Sequence, residues 1–257
     1  MGSGVKSIAF SPNGAMLAVS RGLVTLYDVA SGSEIRTFKG EEIQKVQRYG
    51  NTDYPYTLKG DVAHIAFSPD GTRLAGGMMD NLVIVWDVSS GKSRILPDPA
   101  SSERETKYAY PAFSPDGKML AMGGYPNVIV WDVETGSLLS TRHGAFYFYT
   151  VFGFLSDGKA LAIDSGLVDL TTGAFAEWNS HGACMSVSPD GSVLAFDNFA
   201  PPDFSVENPG LKIASQQVKQ RERKLGLRKP SCPITFSPDG RLLASGPGPV
   251  SLWGLPP

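Results

Sequence analysis

The stretch from Ile65 to Gly91, IAFSPDGTRLAGGMMDNLVIVWDVSSG, holds three short apolar runs separated by turn signals. Ile65 and Phe67 alternate with Ala66 ahead of Ser68-Pro69-Asp70-Gly71. There proline presets φ, aspartate bonds its own backbone and glycine supplies a positive φ, so a strand enters a tight turn. Leu74-Ala75-Gly76 follows, then Asp80-Asn81 as a second turn. Leu82 to Val88 is β-branched and apolar almost throughout, the composition of a strand buried on both faces. Ser89-Ser90-Gly91 closes the unit with another turn.

Working outward, the same punctuation returns as Ser11-Pro12-Asn13-Gly14, Ser114-Pro115-Asp116-Gly117, Ser156-Asp157-Gly158, Ser188-Pro189-Asp190-Gly191 and Ser237-Pro238-Asp239-Gly240. The closing glycines step by 57, 46, 41, 33 and 49 residues, about 45 on average. That is the length of a four-stranded propeller blade, and such a period outranks any local reading. The apolar run ending in an aromatic and aspartate also recurs, as Val24 to Val29, Val83 to Val88 and Val128 to Val133. Degraded copies stand at Leu167 to Leu170 and Val250 to Leu255.

Phe-Ser-Pro-Asp-Gly, then Leu-Ala, then Trp-Asp-Val, then a glycine turn resembles the WD-repeat family of β-propellers, from Val5 to Leu255. The resemblance implies an all-β propeller of radial four-stranded antiparallel sheets, used mostly as a rigid platform for proteins or peptides. It also implies structural roles for Asp80, Trp86 and Trp131. The family's Gly-His pair is not where the pattern wants it: Lys59-Gly60-Asp61 precedes the second unit, and Tyr125-Pro126-Asn127 replaces the turn aspartate of the third. Hydrophobic packing must therefore hold most blades.

The repeat divides the chain into six blades of one domain, at approximately 5–39, 62–96, 110–141, 150–178, 183–227 and 233–255. A blade cannot bury its faces without neighbours, so they belong together. The fourth blade is compressed. In the fifth, Leu211 to Leu227 is read as two strands, although Ala214, Val218 and Leu225 would also share a helix face. The sixth supplies Ile234 to Phe236, Leu242 to Ser245 and Val250 to Trp253, so the last blade is expected to be three-stranded. Its open edge is read first as truncated or bare, since natural edges are usually covered or blunted rather than used, with strand donation by a partner as the alternative. A fragment of a longer multidomain chain is an alternative reading of that missing strand.

Residues 40–61, 97–110, 141–149 and 197–210 exceed the repeat, and the order of strands sends them to one face, opposite the Ser-Pro-Asp-Gly turns. Insertions of that kind commonly mark the binding face of a repeat protein. They carry Tyr49, Tyr54, Tyr56, Tyr108, Tyr110, Tyr147 and Tyr149, seven of the nine tyrosines, with Arg48, Arg104, Lys107 and Arg142. Tyrosine and arginine are enriched at interface hot spots. The candidate partner site is this set, with Arg48 and Lys107 at the rim, for a protein or peptide; the alternative is that the rings pin long loops onto the blade ends.

A formal charge of −2 gives no general pull toward nucleic acid or an anionic membrane. The basic run Lys219 to Lys229 lacks aromatic residues and reads as a solvated strand or loop. The N-terminus has no basic start leading into an apolar core, and no stretch approaches the roughly 20 apolar residues of a membrane helix, so a cytoplasmic protein is expected. Cys184 and Cys232 read as small buried thiols in a reducing compartment. His64, His143 and His181 show no metal-ligand spacing, and no nucleophile elbow or phosphate loop is present. No cofactor, metal or catalytic residue is expected. An enzyme or small-molecule binder with a site in the central channel is the alternative, since channel ligands are scattered in sequence.

Overall fold

The computed structural model describes residues 4–40, 43–49, 52–58, 60–78, 82–96, 110–124, 127–143, 151–163, 166–177, 185–192, 194–196, 234–245 and 251–254. These residues are all-β. Sheet one contains β1 (Ser7–Phe10), β2 (Met16–Arg21), β3 (Leu23–Asp28) and β4 (Glu34–Phe38). A separate two-stranded sheet follows, β5 (Ile43–Tyr49) with β6 (Thr52–Leu58). Sheet two contains β7 (Val62–Phe67), β8 (Arg73–Met78), β9 (Val83–Asp87) and β10 (Ser93–Leu96). Sheet three contains β11 (Tyr110–Phe113), β12 (Met119–Gly124), β13 (Asn127–Asp132) and β14 (Leu138–His143). Sheet four contains β15 (Val151–Phe154), β16 (Ala160–Ile163), β17 (Gly166–Asp169) and β18 (Phe175–Glu177). Sheet five shows β19 (Met185–Val187) and β20 (Leu194–Phe196), and sheet six shows β21 (Ile234–Phe236), β22 (Leu242–Ser245) and β23 (Ser251–Gly254).

Within each sheet consecutive strands pair antiparallel, the pattern that short turns permit. The first strands pack side by side in the order β1, β7, β11, β15, β19, β21, and in sheets one to three the second strand also meets the first strand of the next sheet. This arrangement is a propeller. The segment after Phe38 does not run as a plain loop, because Ile43 to Leu58 pairs from Ile43↔Leu58 to Tyr49↔Thr52 as a hairpin.

In sheets one to four a small row and a large row cross the strands. In sheet two, register aligns Phe67, Leu74 and Trp86 on one face and Ala66, Ala75 and Val85 on the other. Alternation along a strand makes this inevitable, since neighbouring residues point to opposite faces. The small row of sheet one, with Ala18 and Leu26, packs against Leu74, Ile84 and Trp86 of sheet two. The small row of sheet two, with Ala75 and Val85, packs against Leu120, Ile129 and Trp131 of sheet three. Ala121 and Val130 of sheet three then meet Leu161 and Val168 of sheet four. The core is thus a series of slabs between sheets.

Trp86 and Trp131 lie fully buried in these slabs. Phe38 reaches from β4 to the Trp86 ring, centroids 5.4 Å apart. Gly76 makes room for that ring, because a Cβ on it would sit 2.7 Å from the indole. Asp80, expected to take part in the same pattern, lies outside the described residues, as do Cys184, Cys232, His181 and the run 219–229.

Candidate interaction faces

Up-and-down sheets place the turns between first and second and between third and fourth strands on one end of the molecule. At that end the Ser-Pro-Asp-Gly turns are wired internally. Ser68 Oγ donates to Asp70 Oδ1 at 2.6 Å and accepts the Arg73 N–H at 2.9 Å, while Thr72 N–H donates to Asp70 Oδ1 at 3.0 Å. Gly71, at φ 71°, closes the turn by donating to Ser68 O. Ser11 with Asn13, Ser114 with Asp116, Ser188 with Asp190 and Ser237 with Asp239 repeat the serine-to-residue-i+2 bond. The serine hydroxyl holds Asp70, Asp116 and Asp239 below the usual carboxylate range.

The turns also touch from sheet to sheet. Pro12 Cδ lies 3.4 Å from where a Cβ on Gly71 would be, and Pro69 and Pro189 stand similarly against Gly117 and Gly240. In sheet four the motif shifts by residue type: Leu155 takes the serine place and Ser156 the proline place. Ser156 therefore keeps an N–H, which donates to Gly191 O at 3.0 Å across to sheet five. The second set of turns at this end uses the Trp-Asp aspartates. Asp87 Oδ1 accepts from the Ser90 N–H and from the hydroxyls of Ser89 and Ser90, which lower its pKa to about 2. Asp28, Asp132 and Asp169 accept equivalent N–H bonds from Ser31, Thr135 and Thr172.

Arginines cross between sheets beside these turns. The Arg36 guanidinium donates to Ser89 O and Ser90 O at 2.9 and 2.8 Å, and Arg94 donates to Glu134 O at 2.8 Å. Arg73 pairs with Glu134 at 2.6 Å. The sequence signal for the first two was an arginine in the fourth strand of consecutive units. Carboxylates and guanidinium groups at this end are largely committed to the protein's own structure.

The opposite end carries the links between second and third strands and between sheets. The hairpin β5–β6 rises from it at a neck where the Gly40 and Gly60 backbones touch, so that a Cβ on either would overlap the other. Beside the neck, Val62 N–H donates to Gly22 O at 2.9 Å, Ser20 Oγ donates to Val62 O, and Lys6 pairs with Asp61 at 3.9 Å. Register puts positions 43, 45, 47 and 49 of β5 on the same face as 52, 54, 56 and 58 of β6. Tyr49, Tyr54 and Tyr56 therefore share one face, and Arg48 falls on the other, across from Asp53.

Tyr110 opens β11, where its ring stacks on His64 of β7 at 3.8 Å between centroids. Burial pushes the His64 pKa down, in the direction of the neutral imidazole. Tyr108, Tyr147, Tyr149, Arg104 and Lys107 lie outside the described residues, and of Arg142 the backbone pairing with Val128 is described. Sequence reading missed the hairpin itself. Its signal was Gly50-Asn51 between two seven-residue segments, a two-residue hairpin connection.

Between the inner strands lies a cavity of about 860 Å³, lined near the tight turns by Phe67, Phe113, Phe154, Pro69, Pro115 and Pro189 among others. Among the described residues of its lining Asp190 is the one ionisable residue, and it is bonded to Ser188 and Ser192. Among the described residues no group of His, Cys, Asp and Glu could hold a metal ion, and no helix is long and apolar enough to cross a membrane.

A family model for the WD domain, G-beta repeat, matches residues 53–87, from inside β6 to the end of β9. WD repeat-containing protein 1-B of Xenopus laevis is 33% identical over 98 residues, covering 37% of this chain and 13% of that protein.

Proposed function

From the premise that the chain belongs to the WD-repeat family of β-propellers, we propose that it is a non-catalytic platform for a protein or peptide, bound at the hairpin end. WD repeats generally mediate protein interactions. In this reading the six blades, with the boundaries given above, form one domain, and the protein works in the cytoplasm as a scaffold. The hairpin carries the proposal: an arm with three tyrosine positions on one register face, raised on a glycine neck above the stacked sheets. Tyrosine gives large contact area with a hydrogen-bonding tip at low entropic cost. The internally wired turns at the other end support the same choice of face. The outer edge of β23, in a three-stranded sheet, is a second place where a partner strand would add.

The test is a pull-down under mild crosslinking, comparing wild type with Tyr54→Ala/Tyr56→Ala/Tyr110→Ala at unchanged melting temperature. A partner held by wild type and lost by the variant is expected. Equal retention would make the tyrosines structural. A second reading rests on the cavity, whose volume of about 860 Å³ is within the range of small-molecule sites. An apolar ligand found by native mass spectrometry would favour it.

A further inference from the structure

The tight turns between first and second strands share one geometry, and the turn of sheet one differs in one residue. Asp70, Asp116, Asp157, Asp190 and Asp239 each accept on Oδ1 the N–H of the residue two further on, at 2.9 to 3.0 Å. All but Asp157 also accept the hydroxyl of the serine two residues before. In sheet one Asn13 takes that place. Its Oδ1 accepts the Ser11 hydroxyl at 2.7 Å and the Ala15 N–H at 3.0 Å. Both bonds are to the oxygen, so exchanging the amide nitrogen for a second oxygen gives up neither. Asn13 is exposed, and with Gly14 it forms the one Asn-Gly pair of the sequence.

We propose that Asn13 is a self-modification site: when the first turn opens, Asn13 deamidates through Gly14, and the aspartyl product re-forms the turn with the residue type of the other five. In the first step the Gly14 N–H gives its proton to solvent base and the nitrogen adds to Asn13 Cγ. The Cγ–Nδ2 bond breaks, ammonia leaves and a cyclic succinimide remains. Water then opens the ring. Cleavage at the new Cγ–N bond gives an aspartyl residue on an unchanged backbone, and cleavage at the backbone carbonyl carbon gives the isoaspartyl form. With no Cβ to shield it, a glycine nitrogen reaches Cγ readily, and among the described residues nothing lies within 4 Å of where a Cβ on Gly14 would be. The closed turn blocks the first step. Gly14 N–H is donated to Ser11 O at 2.8 Å, and the Asn13 side chain is tied by its oxygen to Ser11 and Ala15. The reaction therefore belongs to local openings of the turn. The same turn selects the product. Hydrogen bonds to an ionised acceptor are the stronger ones, and Asp70, Asp116 and Asp239 are held below the usual carboxylate range in this geometry. An isoaspartyl residue lengthens the backbone between Ser11 and Ala15 and loses the spacing of both bonds. Loss of ammonia is irreversible in water, so the charged turn accumulates as the chain ages. The inference is independent of the hairpin platform.

Peptide-mapping mass spectrometry of the full chain, aged in mildly alkaline buffer, tests it. The tryptic peptide Ser7 to Arg21 carries Asn13 as its one asparagine. The folded protein should convert Asn13 measurably but roughly tenfold or more slowly than the isolated peptide, because the closed turn must open first. Ser11→Ala, checked by its melting curve to be folded, should recover much of the peptide's rate. Enzymatic methylation of isoaspartyl residues should find a smaller isoaspartyl share in the folded protein than in the peptide. Asn13→Asp, which needs no ageing, should melt at or above wild type near neutral pH. Conversion as fast in the folded protein as in the peptide, or no conversion in it at all, overturns the proposal. So does a Ser11→Ala rate equal to that of wild type, an isoaspartyl share as large as the peptide's, or an Asn13→Asp variant that melts below wild type.

Discussion

The same four residues, Ile-Ala-Phe-Ser, stand at Ile8–Ser11 and again at Ile65–Ser68. Both sets form the end of a first strand and enter the same serine-centred turn, Ser11 and Ser68 each accepting an N–H five residues on at 2.9 Å. Ile65 is 8% exposed and Ile8 59%. Local sequence therefore decides strand and turn, and the neighbouring sheet decides burial. Sheet one lies over β7, while β1 borders the cavity.

Substitutions that attack the covered interface should cost most. Trp86→Ala, between sheets one and two, should lose about 3–5 kcal/mol in denaturant unfolding, and Tyr27→Ala, the equivalent position in sheet one, much less. A matching loss at Tyr27 would break the comparison. Gly76→Ala pushes a methyl group toward the indole of Trp86, an overpacking expected to cost about 1–3 kcal/mol; pairing it with Trp86→Leu should recover part of that loss. Ser68→Ala removes the hydroxyl shared by Asp70 and the Arg73 amide, and thermal melts should show a loss of about 1 kcal/mol. Ser11→Ala should cost nearly as much, because the turns, unlike the strand faces, are alike in geometry.

The smallest effect is in acid. The folded pKa of Asp87, about 2, lies below its ordinary 3.8. Its bonds to Ser89 and Ser90 therefore stabilise the fold fully above the unfolded value, and that contribution is lost as pH falls through about 2. Asp87→Asn should flatten the pH dependence of the melting temperature in that window.

The repeat of Phe-Ser-Pro-Asp-Gly and Val-Trp-Asp-Val made the sheets legible, because turn chemistry and buried strands act over a few residues. Burial of Trp86 and Trp131 followed from the same pattern. The hairpin was hidden because Ile43 to Leu58 lies outside the period, so its length was read as excess although Gly50-Asn51 marks the connection. Leu155 in place of the turn serine was hidden by the neighbouring Ser156. The Tyr110 ring on His64 joins strands of different sheets, and no spacing in the chain encodes that contact. The exposure of Ile8 was not readable at all, since its own sequence context is that of Ile65.

The most direct measurement is therefore the unfolding free energy of Ile65→Ala beside that of Ile8→Ala, both in dilute solution. Ile65→Ala should lose about 2–5 kcal/mol as a buried aliphatic truncation, and Ile8→Ala under about 1 kcal/mol as an exposed one. Equal losses would mean that sheet one is covered on both faces, and the difference between the two regions would not exist.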